Sequence, residues 1–357
     1  MIKKVLFFAL VIFPIMACNG NTKKTVETGN TETNQESTQT HSAEAIKASI
    51  DVGSIWHNGT EWFKVRKEGD VFVFFGGSLH EGGAVFGLKA NGNNSYKVVP
   101  ALWENDPEME AEPSLSARGL FGFEPNELTA EMKVFDGKPV IVIKHKTQGV
   151  RSVLLKSADK EMEALDKACK ADMAQWMAGK WQSKDGQQYI FKADQSYAFP
   201  SGSGKYQFEY VYDTPSDIII LNDGSHWGVE NAKGKMTLTE MKQDSQDEEL
   251  WEPVNGGKTI QLTLSAEEQQ QWRYEFASTQ PLTVGMLSNY DKEDLRIMRN
   301  EIWARHGYRF NSPDLQQRFQ KVKGYKQVAD NSQVRLTPLE QLNVETIKAV
   351  EERTEEW

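Results

Sequence analysis

The chain has 357 residues, a length that accommodates two or three domains. Its 41 basic and 51 acidic side chains give a formal net charge of -10. A chain this acidic is a poor candidate for binding nucleic acid or an anionic membrane surface through general electrostatics, and those two classes of function are set aside.

The first 18 residues have the organisation of a secretory signal peptide. Lys3 and Lys4 form a positive start, residues 5–16 are an uninterrupted apolar run, and the small Ala17 precedes Cys18. The apolar run is well short of the roughly 20 residues that cross a bilayer as a helix. This length favours a signal peptide over a permanent transmembrane anchor.

The end of this segment, Ile15-Met16-Ala17-Cys18, resembles the lipobox of bacterial lipoproteins. The resemblance implies that Cys18 is acylated and becomes the mature N-terminus. It also implies a protein anchored by lipid at the bacterial cell envelope, outside the cytoplasm, with the outer membrane as the expected location. The alternative is a soluble secreted protein in which Cys18 has no such role. Lipidation would leave Cys169 as the only other cysteine, which excludes an intramolecular disulfide and a metal site of paired thiolates.

Residues 19–49 are rich in Thr, Asn, Gln, Ser and Glu and have almost no large apolar side chain. Such a segment cannot bury enough apolar surface to fold, so we predict a disordered tether. A flexible tether holds the folded part off the membrane by a distance that grows as the square root of its length.

Turn-forming pairs divide residues 50–157 into short apolar runs with the composition of strands. The clearest pairs are Asn58-Gly59, Asn91-Gly92 and Asp136-Gly137. The region is therefore predicted to be an antiparallel β domain, interrupted by a long acidic loop over residues 103–127.

One segment of this region begins like the zinc-protease motif. His80 and Glu81 match its start, but Ala84 stands where the motif needs a second histidine. Two glycines between them would also weaken a helix. We therefore predict a glycine-rich turn here, not a metal site.

Residues 158–266 begin with the periodicity of a helix. Five apolar residues recur three or four positions apart and predict one stripe of that helix. They are Met162, Leu165, Cys169, Met173 and Trp176. A free cysteine on such a stripe is interpreted as a small buried side chain, not as a nucleophile.

The helix is followed directly by Gly179-Lys180-Trp181, which resembles the opening of lipocalin-like small barrels. In those barrels the glycine lets the first strand begin tightly and the tryptophan fills the barrel floor. The resemblance covers residues 178–264. The arginine that usually lies across the floor tryptophan has no counterpart on the last strand, since Arg273 lies beyond it, so both a closed barrel and an open sandwich stay possible.

Four aromatic residues alternate with polar or smaller ones along one predicted strand: Tyr206, Phe208, Tyr210 and Tyr212. Alternation of this kind places all four rings on one face. In a hollow barrel, these rings and Trp181 would face a small apolar ligand. In a packed core, the interpretation that we favour, the same rings fill the interior.

Residues 281–357 carry the most specific resemblance in the chain. Residues 295–310, LRIMRNEIWARHGYRF, resemble the signature of the YARHG domain, with Trp303 in place of the tyrosine that names the family. The resemblance implies an extracellular bacterial module and leaves its activity open, because the biochemical role of the family is not established. The motif residues are Arg299, Asn300, Glu301, Trp303, Ala304, Arg305, His306 and Gly307.

Capping residues predict three helices in this segment. Asp291 opens the first helix and Gly307 ends it. Ser312 opens the second, with a proline in its first turn. Thr337 and Glu340 have the spacing of a capping box at the start of the third.

Arg299 and His306 fall on the apolar face of the first predicted helix. One hypothesis joins them with Arg305 as a site for a carboxylate or glycan, since the arginine fork suits planar anions. We favour a structural role, in which Arg299 bonds a carboxylate or backbone carbonyls of a neighbouring helix and His306 bonds carbonyls at the helix end. Glu340 and Glu345 are the expected acceptors, and Arg305 is expected on a more exposed edge.

The sequence as a whole predicts a multi-domain α+β protein: an antiparallel β domain, a helix with a lipocalin-like β barrel or sandwich, and a small all-α domain. We expect a binding or protein-interaction module for an envelope protein, peptide or glycan, with no cofactor and no nucleic-acid partner. The alternative is an envelope hydrolase acting on peptide or glycan. No GxSxG elbow, complete zinc motif or phosphate-binding loop is found in the sequence, so no catalytic residue is assigned.

Overall fold

Two antiparallel barrels and a group of helices follow one another along the chain. The computed structural model describes residues 49–77, 83–101, 116–211, 214–245 and 250–353, all within the unit Ala45–Trp357. The predicted signal segment with Cys18, nearly all of the tether, the His80-Glu81 pair and Tyr212 lie outside the described residues. The order of elements confirms the predicted α+β class.

The first barrel has eight strands that pair in chain order, and β8 pairs back with β1 to close the ring. The strands are β1 (Ile55–His57), β2 (Trp62–Glu68), β3 (Val71–Gly77), β4 (Gly83–Ala90), β5 (Ser95–Val99), β6 (Leu128–Phe135), β7 (Lys138–His145) and β8 (Gly149–Ser157). The predicted Asn58 turn forms, because the Asn58 side chain accepts hydrogen bonds from the N–H groups of Thr60 and Glu61 at 2.9 and 2.8 Å. All neighbouring strands run antiparallel, which confirms the predicted β domain.

Aromatic side chains fill the interior of the first barrel. Trp56, Phe63, Phe74 and Phe86 are fully buried, and the rings of Phe74 and Phe86 stack at 4.9 Å. Helix α1 (Ala117–Phe121) lies within the predicted acidic loop and packs Phe121 against Phe86 at 5.2 Å. Alternation along each strand directs these large side chains inward, and they form one packed core.

Helix α2 (Glu161–Met177) connects the two barrels. Leu165 and Met173 of the predicted stripe are buried, and Cys169 is half-buried against the second core. Met162 is 42% exposed and does not belong to the buried face. Burial, together with the nearby Asp172 charge, raises the pKa of Cys169 to about 11. A thiol with so high a pKa is a packing residue, as predicted, because little thiolate is present at neutral pH.

The second barrel also closes. Its strands are β9 (Gly179–Ser183), β10 (Gln188–Phe191), β11 (Ser196–Phe199), β12 (Gly202–Val211), β13 (Thr214–Leu221), β14 (His226–Ala232), β15 (Lys235–Gln243), β16 (Trp251–Pro253) and β17 (Thr259–Leu264). Strand β17 pairs with both β9 and β15, and β14 pairs with β15, so that the ring is complete and β16 extends one edge. These pairings confirm a lipocalin-like barrel and remove the open-sandwich alternative.

Helices form the C-terminal part: α3 (Phe276–Thr279), α4 (Val284–Ser288), α5 (Lys292–Arg305), α6 (Pro313–Gln320) and α7 (Pro338–Arg353). Asp291 caps α5 by accepting the N–H of Asp294 at 2.9 Å. Thr337 and Glu340 form the predicted capping box, with reciprocal hydrogen bonds of 3.2 and 2.9 Å. Of the helices in the described ranges, none has the length and apolar character needed to cross a bilayer.

The helices contact the first barrel along α7 and α4. Leu342 of α7 is buried among valines of β7 and β8. Gly285 of α4 donates its N–H to the Asn58 carbonyl at 3.0 Å, and a Cβ at Gly285 would lie only 2.4 Å from the Gly59 carbonyl carbon. Two glycines therefore permit this backbone approach, and a larger residue at either position would push α4 away from the barrel.

Candidate functional site

Arg299 joins α5 to α7. Its Nε and Nη2 donate to the two carboxylate oxygens of Glu351 at 2.8 and 3.2 Å. The prediction that Glu340 or Glu345 accepts the hydrogen bonds of Arg299 is therefore wrong. Glu345 lies three residues from Leu342 on the face of α7 that packs on the first barrel, and it pairs there with Lys144 at 3.0 Å.

His306 pairs with Glu340 at the end of α5. Its Nε2 lies 2.8 and 2.9 Å from the two carboxylate oxygens, and one of them, Oε2, also accepts the N–H and the hydroxyl of Thr337. Burial alone would raise the pKa of Glu340, but the hydrogen bonds from His306 and Thr337 outweigh it and lower that pKa. His306 thus extends the cap of α7, which is a structural role as we favoured, but its partner is a carboxylate and not the predicted carbonyls at the helix end.

Glu301 is the motif residue whose role the sequence patterns missed. It is 1% exposed and accepts the backbone N–H groups of Arg273 and Tyr274 at 3.0 and 2.7 Å. Burial raises the pKa of Glu301, although those hydrogen bonds and the charge of Arg305 oppose the increase. In the sequence, only the position of Glu301 four residues before Arg305 indicated a partner for it. The backbone N–H groups that it accepts lie about 27 residues earlier in the chain, so a local pattern could not indicate them.

Arg305 lies deeper than expected. Only 18% of its side chain is exposed, its Nη2 donates to Glu301 at 3.3 Å, and its guanidinium lies 4.9 Å from the centre of the Trp272 ring. The prediction that Arg305 lies on a more exposed edge of the helix is therefore wrong. The segment around Trp272 precedes the helices in the sequence, folds back and covers this side of α5, which the helix pattern alone could not indicate.

The remaining motif residues also make contacts within the helical part. Asn300 donates to the Arg296 carbonyl at 2.8 Å, Ala304 is buried, and the Trp303 ring packs 5.6 Å from the Tyr308 ring. Gly307 has a φ of +79°, and a Cβ there would lie 2.5 Å from the Lys326 carbonyl oxygen. The residues of the YARHG signature thus stabilise the arrangement of the helices.

The aromatic row of the second barrel is divided between its two faces. Tyr206 and Phe208 are buried in the interior, whereas Tyr210 is 37% exposed, bonds Asp166 of α2 through its hydroxyl, and lies under Lys170. The predicted single face is wrong for Tyr210 because the pairing of β12 with β13 shifts register between Phe208 and Tyr210. Such a bulge turns the following side chain to the other face.

Inside the barrel, the inward rings pack on one another. Tyr206 lies 5.8 Å from Phe191 and 5.5 Å from Phe208. Burial raises the pKa of Tyr206, whose hydroxyl is buried without a hydrogen-bond partner. This packing agrees with the filled core that we favoured over a ligand cavity.

Trp181 occupies the floor of this barrel. It is fully buried, and its indole N–H donates to the Met177 carbonyl at 3.1 Å. Arg273 lies beyond the last strand, as the sequence indicated, yet its guanidinium returns to within 5.8 Å of the Trp181 ring centre. Arg273, which belongs to the helical part, thus closes the floor of the second barrel and links that barrel to the helical part.

An open cleft of about 390 Å³ lies beside this floor, where the second barrel meets α5 and α6. A volume of this size holds a small organic ligand. The barrel contributes Lys233 and Leu264, and the helical part contributes Asp294, Ile297 and Arg318. The Lys233 N–H donates to Asp291 at 2.8 Å and so holds the β14–β15 turn against the start of α5.

The acidic groups of the cleft are already engaged. Glu293 pairs with Arg296 at 3.1 Å, and Asp294 accepts the Tyr274 hydroxyl at 2.8 Å. Lys233 and Arg318 form no ion pair with any residue in the described ranges, and the Arg318 Nε is buried without a hydrogen-bond partner. These two cations were not found from the sequence, because each is an ordinary surface residue of its own element.

Within the part of the chain that the structure describes, no group of three or more His, Cys, Asp or Glu side chains is arranged to hold a metal ion. Besides Arg273 and the two engaged carboxylates, the cleft presents Lys233, Arg318, an amide from Gln269 and an apolar wall. That combination suits the binding of an anionic group attached to hydrocarbon.

Comparison with known families assigns residues 272–352 to the YARHG domain. The match begins before residue 281, where the sequence pattern started this domain, and the hydrogen bonds from Arg273 and Tyr274 to Glu301 account for the earlier start. No curated protein matches the chain. YARHG domains occur in extracellular or envelope proteins, and their biochemical role is not established.

Proposed function

We propose that this protein, with a YARHG domain at residues 272–352, is a lipid-anchored envelope protein that binds a small peptide or glycan in the cleft beside the second barrel. The observation that carries the proposal is a pair of cations, Lys233 and Arg318, that line the cleft and form no ion pair with a described residue. They come from two different parts of the fold and face the same cleft. The Arg318 Nε is buried without a hydrogen-bond partner, as is the Arg305 Nε, and a missing hydrogen bond of this kind costs free energy.

The envelope location draws support from two ends of the chain. The YARHG domain is a type of module found in extracellular or envelope proteins. The N-terminal segment resembles a lipoprotein signal, and Cys18 is the attachment point that this resemblance implies. Several acyl chains on one cysteine would make the attachment effectively permanent, whereas a single chain binds membranes only marginally.

Binding without turnover is the better supported class of function. In the YARHG signature, His306 is paired with Glu340, and Glu301 is buried and accepts hydrogen bonds from backbone N–H groups. These groups serve the packing of helices, and the cleft itself pairs cations with apolar walls. Hydrolysis of a bound peptide or glycan is therefore kept as an outcome of the test.

The test incubates the full chain with a defined mixture of short peptides and peptidoglycan fragments, separates the protein by gel filtration, and identifies retained compounds by mass spectrometry. Unaltered compounds in the protein fraction support binding, and products that have gained water indicate a hydrolase. The variant Lys233→Ala/Arg318→Gln should retain much less. Its matched control is Lys235→Ala/Lys321→Gln, which removes two exposed cations that do not line the cleft. Equal retention by both variants, or no retention by the parent, contradicts the proposal.

A further inference from the structure

We infer that the ligand of this cleft is a peptide with a free C-terminal carboxylate and a small apolar last residue, and that Lys233 and Arg318 together bind the carboxylate. This inference rests on the proposed function and names its ligand class. The argument depends on which charges in the cleft are already neutralised, on the polarity of the walls and on the fixed position of the two cations.

The neutralised charges leave an excess of positive charge in one place. Arg273 has Asp294 at 3.7 Å and stacks near the Trp181 and Tyr274 rings, so its charge is already balanced. Lys233 and Arg318 form no ion pair with a described residue, although the charge of Glu301 acts on Arg318 from beyond ion-pair distance. A single carboxylate brought between them would receive charge-assisted hydrogen bonds from both, which are about twice as strong as neutral ones.

The surroundings of Arg318 strengthen this effect. Its Nε is buried without a hydrogen-bond partner among the described residues, so this N–H group is shielded from solvent. An anion at the guanidinium is therefore bound in a medium less polar than water, where the attraction between opposite charges is larger. Arginine presents a planar fork that matches the two oxygens of a carboxylate.

The walls indicate what the carboxylate is attached to. Leu264 is buried at the end of β17, Ile297 is half-buried on α5, and both line the cleft. An apolar side chain beside the carboxylate would cover them, whereas a free phosphate would leave them against water. The volume of about 390 Å³ admits a ligand the size of a few amino-acid residues, not a folded chain.

The two elements that carry the cations are both held against α5. The Lys233 N–H bonds Asp291, the cap of α5. Arg296 of α5 bonds Asp314 of α6 at 2.7 Å, which fixes the helix that carries Arg318. The backbone around each cation is therefore fixed before a ligand binds, which lowers the free energy that binding loses on ordering it.

The test measures binding of fluorescein-labelled tri-alanine to the full chain by fluorescence polarisation, with the C-terminus either as the free acid or as the amide. We expect the amide to bind at least about tenfold more weakly, the effect of losing one charge-assisted hydrogen bond. Lys233→Ala and Arg318→Gln should each weaken binding of the acid by about tenfold or more and leave the amide unchanged. The matched controls Lys235→Ala and Lys321→Gln should bind both forms as the parent does. Thermal melting of every variant checks that the fold is intact.

The outcomes separate the inference from the proposed function. Equal binding of acid and amide by the parent overturns the carboxylate assignment while binding itself stands. Displacement of the labelled acid by inorganic phosphate but not by unlabelled tri-alanine acid assigns the cations to phosphate and also overturns the inference. If neither form binds, the inference is wrong, and the gel-filtration test on the wider mixture then decides whether the proposed function stands.

Discussion

Replacing Asp172 by asparagine should stabilise the protein at pH 8. Asp172 lies on α2 and is 7% exposed, and burial raises its pKa from 3.8 to about 7. Within the described ranges it forms no ion pair, and its negative charge raises the pKa values of Cys169 and Tyr290 nearby. The difference is about 3 pH units, and each unit corresponds to about 1.4 kcal/mol, so ionising Asp172 in the folded protein costs up to about 4 kcal/mol.

The sign follows from proton linkage. Because the folded protein binds this proton more tightly than the unfolded chain, the stability associated with it is fully present below about pH 4 and is lost as the pH rises towards 7. Asparagine does not titrate. The free energy of unfolding of Asp172→Asn should therefore match that of the parent near pH 4 and exceed it by up to about 4 kcal/mol near pH 8. Urea unfolding at the two pH values, followed by circular dichroism, measures both differences.

Asp166 provides the control on the same helix. Its side chain is 29% exposed and pairs with Lys170 at 3.0 Å. Asp166→Asn should lower the free energy of unfolding by about 1 kcal/mol or less, with a sign opposite to that of Asp172→Asn. If Asp172→Asn changed stability equally at both pH values, or destabilised the protein near pH 8, a buried and uncompensated carboxylate would not describe this residue.

The α5–α7 ion pair, the floor of the second barrel and the N-terminal cysteine each allow a separate measurement. Arg299→Met should lower the free energy of unfolding in urea by about 2 kcal/mol, since the largely buried Glu351 carboxylate loses two hydrogen bonds. The control Lys348→Met, on the exposed side of α7, should lower it by less than about 1 kcal/mol. Equal losses from the two variants would contradict this prediction. Trp181→Ala should cost about 3 to 5 kcal/mol in the same assay, and an unchanged midpoint would exclude Trp181 from the barrel floor. Cys18→Ser should shift the protein from the membrane to the soluble fraction, and its persistence in membranes after alkaline washing would rule out lipid attachment at this residue.

The aromatic row of β12 shows where prediction from a pattern stops. Tyr206 and Phe208 are buried as alternation required, but Tyr210 turns outward after a shift in register. A bulge depends on the partner strand and on the helix that packs outside it, here through Asp166. Local alternation contains neither of these partners, so it predicted one face for residues that occupy two.

Partner choice in the helical part shows the same limit. The sequence placed Arg299 on an apolar face and predicted a carboxylate or backbone carbonyls as its partner, and the structure shows a carboxylate. Which carboxylate it meets depends on the rotation of α7 about its axis. That rotation is decided by the packing of Leu342 on the first barrel, which turns Glu345 towards Lys144 and leaves Glu351 for the arginine.

Short-range chemistry determined several turns and helix ends of this protein. The turn at Asn58, the cap at Thr337 and the stop at Gly307 each act through contacts within a few residues, so their effects can be derived from the sequence. Only the tertiary structure decided the cleft. Lys233 and Arg318 lie far apart in the chain, and whether a cation is left without a counter-charge depends on which carboxylates the fold brings near it. That is a property of long-range packing, because an ion pair acts over a few ångströms in space and is indifferent to separation along the chain.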